Sequence, residues 1–258
     1  MRYRKFNVSA FVDGAVNAAG NCARSCVKLL KCTEGQYNKA FLMTMDNGAE
    51  VIVKIPNPNA GPAFYTTASE VATRHFLRTV LKLPVPHIYT YSLDPLNPVG
   101  AEYIIEEKAK GKPLGSLRHQ WQTESQLGLV AQLVEFETKL ASISFRRHGC
   151  IYYKKDLDRK GLPAYDLEAG SSLSNGLTIR LNPVLTEGFA FGPLTEARLW
   201  EHEKATMNLD RGPWNTPSSY MAVMGTNEIQ WATAYAKSQM NSHRSDETPD
   251  SPNDYISL

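Results

Sequence analysis

Asp46-Asn47-Gly48-Ala49-Glu50-Val51-Ile52-Val53-Lys54-Ile55 is the stretch on which the fold turns. Asn and Gly tolerate positive φ, so Asp46-Asn47-Gly48 signals a hairpin. The β-branched run that follows predicts a strand from Glu50 to Ile55. Strand alternation puts Ile52 and Lys54 on one face and Val51 and Val53 on the other. Ahead of the turn, Ala40 to Thr44 reads as a second strand. Val27 to Cys32 reads as the first, with the turn Thr33-Glu34-Gly35-Gln36-Tyr37-Asn38 between them. Three antiparallel strands in succession make a meander.

Further out, residues 1–20 predict a short helix after Asn7, with Val8, Phe11, Val12 and Val16 on one side. On the other flank, the prolines of Pro56-Asn57-Pro58-Asn59-Ala60-Gly61-Pro62 lack donors and impose a loop. A helix is expected from Ser69 to Leu81, burying Val71, Ala72, Phe76, Val80 and Leu81. His87 to Ser92 and Ala101 to Glu106 read as two more strands. Thr123 with Gln126 has the spacing of a capping box. Behind it runs an apolar helical stripe through Leu127, Val130, Leu133, Val134, Phe136, Leu140 and Ile143. Residues 157–193 are rich in Gly, Ser, Asn and Pro and read as irregular loop. Leu194 to Met207 and Pro217 to Met240 predict helices, and residues 241–258 a polar, weakly structured end. Five strands with one inserted helix, then a mainly helical remainder, is an α+β arrangement of two lobes.

With 42% hydrophobic and 21% charged residues, the 258-residue chain has the composition of a soluble globular protein. A net charge of +2 is too small to imply nucleic acid or a membrane surface as partner. No apolar run approaches the ~20 residues of a membrane-spanning helix. Cys22, Cys26, Cys32 and Cys150 fit no zinc spacing and read as reduced thiols in or near strands. Such thiols favour an intracellular setting. Asp156-Leu157-Asp158 beside Lys154-Lys155 reads as a solvated charged loop. Trp121, Trp200, Trp214 and Trp231 read as packing residues, and Arg211 as part of a structural turn.

A nucleoside triphosphate needs backbone donors and cations at its phosphates and an apolar slot for its base. The loop holding Gly35 and Asn38 is placed to cover phosphates; a surface hairpin of this composition reads equally well. Ile52 is placed to cover a base while Lys54 reaches phosphate oxygens. From the strand alone, an edge lysine with a packed stem and a solvated amine is the favoured reading. Glu70 is placed to pair with Lys54 from the inserted helix. Thr67 three residues before it also makes a capping box, and spacing does not separate the two. Glu107 and Lys108 follow the fifth strand, where a hinge would offer donors and acceptors to adenine; a plain connector looks the same.

Several blocks together carry a resemblance. The runs Glu34-Gly35-Gln36-Tyr37-Asn38-Lys39-Ala40-Phe41, Lys54-Ile55-Pro56-Asn57-Pro58 and Thr66-Thr67-Ala68-Ser69-Glu70-Val71-Ala72-Thr73 are similar to fungal aminoglycoside-phosphotransferase-like proteins of the altered-inheritance-of-mitochondria type. Pro98-Val99-Gly100-Ala101-Glu102-Tyr103-Ile104-Ile105 and Leu209-Asp210-Arg211-Gly212-Pro213-Trp214 resemble the same family. The resemblance implies a protein-kinase-like fold, with a nucleotide-binding N-lobe over 1–107 and a partial helical C-lobe over 108–258. It further implies ATP as cofactor, a small-molecule acceptor as partner, and mitochondria as a location. Lys54 corresponds to the phosphate-binding lysine and Glu70 to its helix partner.

Phosphoryl transfer in this fold uses a His-x-Asp-x-x-x-x-Asn loop and a second aspartate that holds magnesium. Two residues after His75, His87, His119, His148, His202 and His243 stand Leu77, Tyr89, Trp121, Cys150, Lys204 and Ser245. No catalytic or metal-binding residue is therefore assigned. The final Ser251-Pro252-Asn253-Asp254-Tyr255-Ile256-Ser257-Leu258 resembles a family segment ahead of that loop, so the loop is expected beyond Leu258. Magnesium is expected only with that segment. By itself this chain is expected not to transfer phosphate. The same residues suit a second class, a non-catalytic pseudokinase-like relative that serves as a nucleotide-binding or protein-interaction module.

Overall fold

A computed structural model describes residues 3–20, 22–116, 121–167 and 181–236. Helix α1 (Val8–Ala19) starts where Asn7 accepts hydrogen bonds from the Ser9 and Ala10 amides, the usual role of an N-cap asparagine. Strands β1 (Cys26–Lys31), β2 (Asn38–Met45) and β3 (Glu50–Pro56) form the expected meander, and Gly48 takes the positive φ that its turn needs. Helix α2 (Tyr65–Thr79) follows, then β4 (Ile88–Ser92) and β5 (Tyr103–Glu107). These five strands make one antiparallel sheet in the order β1-β2-β3-β5-β4. A sheet of this order, with a helix inserted between β3 and β4, is the N-lobe arrangement of a protein-kinase-like α+β fold.

The two faces of this sheet are used differently. Val51, Val53, Ile55, Phe41, Met43 and Ile105 bury their side chains against Phe11 and Ala15 of α1. Phe6, Phe11 and Phe41 meet edge to face with centroids 5.2 to 5.8 Å apart, the preferred aromatic geometry. Of the face expected for α1, Phe11 is buried, whereas Val8 is exposed and Ala15 takes a core position instead. The opposite face carries Ile52, Lys54, Ile104 and Glu106, with Ile52 opposite Glu106 and Lys54 opposite Ile104 in the β3–β5 register.

The second part contains α3 (Thr123–Ala141), β6 (Cys150–Tyr153), α4 (Lys154–Arg159), β7 (Tyr165–Asp166), α5 (Pro183–Thr186), β8 (Phe189–Gly192) and α6 (Pro217–Tyr235). Its helices stand beside a small antiparallel sheet, β6-β8-β7, that the residues did not announce. Residues 157–193 were expected to be irregular, yet they contribute β7 and the fully buried β8. A four-residue strand is too short for alternation to show. The helix expected over 194–207 is two 3-10 turns, Ala197–Leu199 and His202–Ala205. Arg211 holds this region by donating to the carbonyls of Leu199, Lys204, Met207 and Leu209 while lying 3.9 Å over the Trp200 ring. Burial lowers the pKa of its guanidinium. The expected extension of α6 to 240, and the polar end over 241–258, fall outside the described residues.

Two helix starts differ from expectation. Helix α3 begins at Thr123 itself, and Gln126 donates to the Trp121 carbonyl, so Thr123 and Gln126 form no capping box. The expected core stripe of α3 is largely open: Leu127, Val130, Leu133, Val134 and Leu140 are exposed, and only Phe136 and Ile143 pack onto a core cluster. Helix α2 begins four residues before the expected Ser69. Thr67 therefore lies inside the helix and is not its cap.

Candidate functional site

Glu102 explains the start of α2. Phe64 at the N-cap has no side chain able to accept a bond. The buried Glu102 carboxylate substitutes, accepting the Phe64 amide at 2.7 Å and the Thr67 hydroxyl at 2.6 Å. A carboxylate at a helix N-terminus is also favoured by the helix dipole. This cap orients α2 so that Glu70, one turn on, faces the sheet.

The capping-box reading of Thr67 and Glu70 is thus overturned, and Glu70 points to Lys54. The Lys54 Nζ lies 3.7 Å from Glu70 Oε1 and 3.0 Å from Glu106 Oε1. Arg74, one turn beyond Glu70, completes the group by contacting Glu70 at 3.4 Å and donating to Glu106. Two cations and two carboxylates alternate in a closed set. Glu106 is nearly buried, while Lys54 and Glu70 are about one quarter exposed. A carboxylate this deep persists only when paired, and Arg74 gives it a second cation. Lys54 is therefore a paired lysine beneath the sheet and not a solvated edge residue. Sequence reasoning missed Glu106 and Arg74. Each left a signal: Glu106 shares the inward face of β5 with Ile104, and Arg74 follows Glu70 at i+4.

A cavity of about 210 Å³ opens beside Lys54, lined by Tyr37, Asn38, Thr66, Glu70 and Ile104 among others. The Thr66 hydroxyl in its wall is buried without a hydrogen-bond partner among the described residues. Gly61 makes room for it: a Cβ there would sit 2.5 Å from Thr66 Oγ1, and the φ of +130° itself favours glycine. An ammonium, an amide and an unsatisfied hydroxyl around a small void suit a phosphate group. Cavities that hold a whole drug-sized ligand run to roughly 300–1,000 Å³, so the space beside Lys54 matches a phosphate moiety and not an entire nucleotide.

The other expected site residues lie elsewhere. Gly35 precedes β2 and faces the Asn38 carbonyl. Ile52 shares the face of Lys54, one pleat along β3. Glu107 accepts the His87 amide at 3.0 Å and pairs with Arg78 at 3.6 Å. Lys108 pairs with Glu50 at 2.6 Å. The structure brings Asn38, Lys54 and Glu70 to one cavity and leaves Gly35, Ile52, Glu107 and Lys108 outside its wall. Among the described residues no cluster of His, Cys, Asp and Glu has the makings of a metal site, and the four cysteines are free thiols.

Elsewhere, the solvated loop expected at Asp156 is a helix. Asp156 is fully buried in α4 and accepts the Tyr91 hydroxyl at 2.9 Å. Among the described residues no helix is long and apolar enough to cross a membrane.

Comparison with known proteins adds relatives. No protein-family model matches the chain. A subtelomeric hrmA-associated cluster protein of Aspergillus fumigatus is 41% identical over 189 residues, covering 73% of this chain and 33% of that protein. Altered inheritance of mitochondria protein 9, mitochondrial, of Lachancea thermotolerans is 27% identical over 261 residues, covering 94% of this chain and 39% of that protein. Its counterpart in Candida tropicalis is 28% identical over 219 residues, covering 79% of this chain and 33% of that protein. Among solved structures, a thermostable mutant of aminoglycoside phosphotransferase APH(4)-Ia, in ternary complex with AMP-PNP and hygromycin B, aligns at 21% identity. Its TM-score is 0.30, with 48% of this chain and 39% of that one covered. The chain spans about a third of the length of the curated relatives it matches. It is a homologue, over that span, of the fungal proteins named altered inheritance of mitochondria protein 9 and of the hrmA-associated cluster proteins.

Proposed function

We infer that the Lys54 centre grips the phosphates of ATP, and that the chain contains the nucleotide-binding lobe of a kinase-like phosphotransferase acting on a small molecule. The observation that carries this reading is the Lys54–Glu70 ion pair at 3.7 Å between β3 and α2, beside a void whose Thr66 hydroxyl lacks a partner. A lysine on the third strand held by a glutamate of the inserted helix is how protein kinases present an amine to ATP phosphates. When bound, ATP would supply the transferable phosphoryl group. Lys54 would hold its phosphates, Glu70 and Glu106 would hold Lys54, and Asn38 and Thr66 would offer further donors. Gly35, Ile52, Glu107 and Lys108 are assigned to the approach of the nucleotide around this grip. The N-lobe is assigned to 1–107 and the partial C-lobe to 108–258, and a mitochondrial setting follows the naming of the relatives.

With no His-x-Asp pair in the sequence, this chain by itself binds nucleotide without turning it over. Phosphoryl transfer draws most of its rate from groups that position the acceptor and neutralise the transferred charge. The same lack favours a second reading, a non-catalytic module that binds nucleotide or a protein. Thermal-shift titration of the purified chain with ATP, with and without magnesium, tests the first reading. A saturable rise in melting temperature that Lys54→Met abolishes is expected, with ATP hydrolysis at background. Binding unchanged by Lys54→Met removes Lys54 from the site, and metal-dependent turnover overturns the inactivity.

A further inference from the structure

On the far side of α2 lies a larger cavity of about 780 Å³, walled by α2, β4 and the β6–α4 junction. The helix separates it from the Lys54 void: Thr66, Thr67 and Glu70 face the small one, and Val71, His75 and Arg78 the large one. Its wall carries the cations Arg74, Arg78, Lys155, Arg159 and Lys160 against the carboxylate of Asp94, with the imidazoles of His75 and His87. Some of this charge is compensated from behind. Arg74 contacts Glu70 and Glu106, Arg78 pairs with Glu107, and Arg159 stands 3.7 Å from the buried Asp156. Lys155 and Lys160 have no carboxylate within ion-pair distance among the described residues. Their amines lie instead over ring faces, Lys155 5.1 Å from the Tyr153 centroid and Lys160 5.1 Å from that of Phe64. The pKa of His75 is lowered, by burial first and then by the charges of His87 and Lys155. The lining also includes the apolar Val71 and Ile88 and the Tyr91 and Tyr153 rings, over both of which the Lys155 amine lies.

We propose that this cavity binds a small molecule carrying a phosphate group on a flat ring. The volume suits one such ligand, the aliphatic lining of Val71 and Ile88 accepts the ring, and the uncompensated amines with Arg159 accept the anion. A dianionic phosphate matches two lysines better than a monocarboxylate does, and charge-assisted bonds to it are the stronger kind. The cavity shares Arg74 with the ion-pair set around Lys54 but lies across α2 from the Lys54 void, and the proposal does not rest on the reading of that centre.

Isothermal titration of the purified chain with phenyl phosphate at low salt, where surface electrostatics are least screened, tests the assignment. Saturable one-to-one binding is expected, with phenol at least about tenfold weaker. Lys155→Glu with Lys160→Glu lowers affinity for phenyl phosphate at least about tenfold. Absence of saturable binding overturns the proposal. So do equal affinity for phenol and binding that survives the double charge reversal. Should the charge-reversed chain not melt cooperatively, Lys155→Gln with Lys160→Gln takes its place, and the same loss of affinity is required of it.

Discussion

At the scale of residues, Lys54 shows how little one side chain says by itself. Its place on the inward face of β3 follows from alternation, but its partners come from α2 and β5, 16 and 52 positions away. Burial ranks those partners. Removing the nearly buried Glu106 leaves Lys54 and Arg74 with half their compensating charge, and breaking a buried pair costs about 3–5 kcal/mol. Glu70 is partly exposed, and pairs of that kind contribute about 1 kcal/mol or less. In urea unfolding, Glu106→Ala is therefore expected to destabilise clearly more than Glu70→Ala; the reverse order would contradict the network. His75 gives a pH prediction. Its folded pKa lies below the ordinary 6.5 because of burial, with His87 and Lys155 adding to the shift, and its Nδ1 meets the Tyr153 hydroxyl at 2.6 Å. Between the folded pKa and about 6.5 the unfolded chain binds more protons than the folded one. Stability should fall as pH drops through that window and stay level above it as far as His75 is concerned. Urea midpoints between about pH 5 and 8 should show a shallower acid slope in His75→Asn.

Elements were the most legible scale. Each of the five strands of the first sheet lies within a few residues of its expected place, because turn chemistry and β-branched runs are local signals. Helix α2 was found but its start was not, since its cap comes from Glu102, 38 residues from Phe64. No local window contains that pair. Glu102→Ala should destabilise the protein by about 1–3 kcal/mol by orphaning the Phe64 amide and the Thr67 hydroxyl. Glu102→Gln keeps an acceptor and should cost less, as denaturant midpoints of the two variants would reveal. The stripe on α3 marks the opposite failure. Periodicity names an apolar face, yet a face needs a partner to become core, and Leu127, Val130 and Leu133 have none that buries them among the described residues.

Across the whole molecule, α2 joins the two parts. Ala72 and Phe76 pack with Leu167, Phe189 and Phe191 in one cluster, and Phe76 meets Phe189 edge to face at 5.7 Å. Tyr91 of β4 donates to Asp156 of α4, and burial, followed by that bond, raises the pKa of the phenol. Burial likewise pushes Tyr153 up to about 12. With α2 shared, both sheets should unfold in one transition. The tryptophans, at 121, 200, 214 and 231, all lie outside the five-stranded sheet, so their fluorescence reports the second part while far-UV circular dichroism reports both. Coincident urea curves are expected, and separated curves would show the parts unfolding independently. Tyr91→Phe removes the hydrogen-bond donor of a fully buried carboxylate and should cost about 1–3 kcal/mol.

Read alone, the sequence settled the meander, the inserted helix and the face on which Lys54 lies. These rest on period, turn residues and short spacings, which operate within a few residues of chain. Tertiary structure decided the rest: Glu106 and Arg74 around the lysine, Glu102 at the head of α2, the buried β8, and the cationic cavity behind the helix. Each of those joins residues far apart in the chain, and burial sets the worth of a charge or a hydrogen bond only once the chain has closed around it.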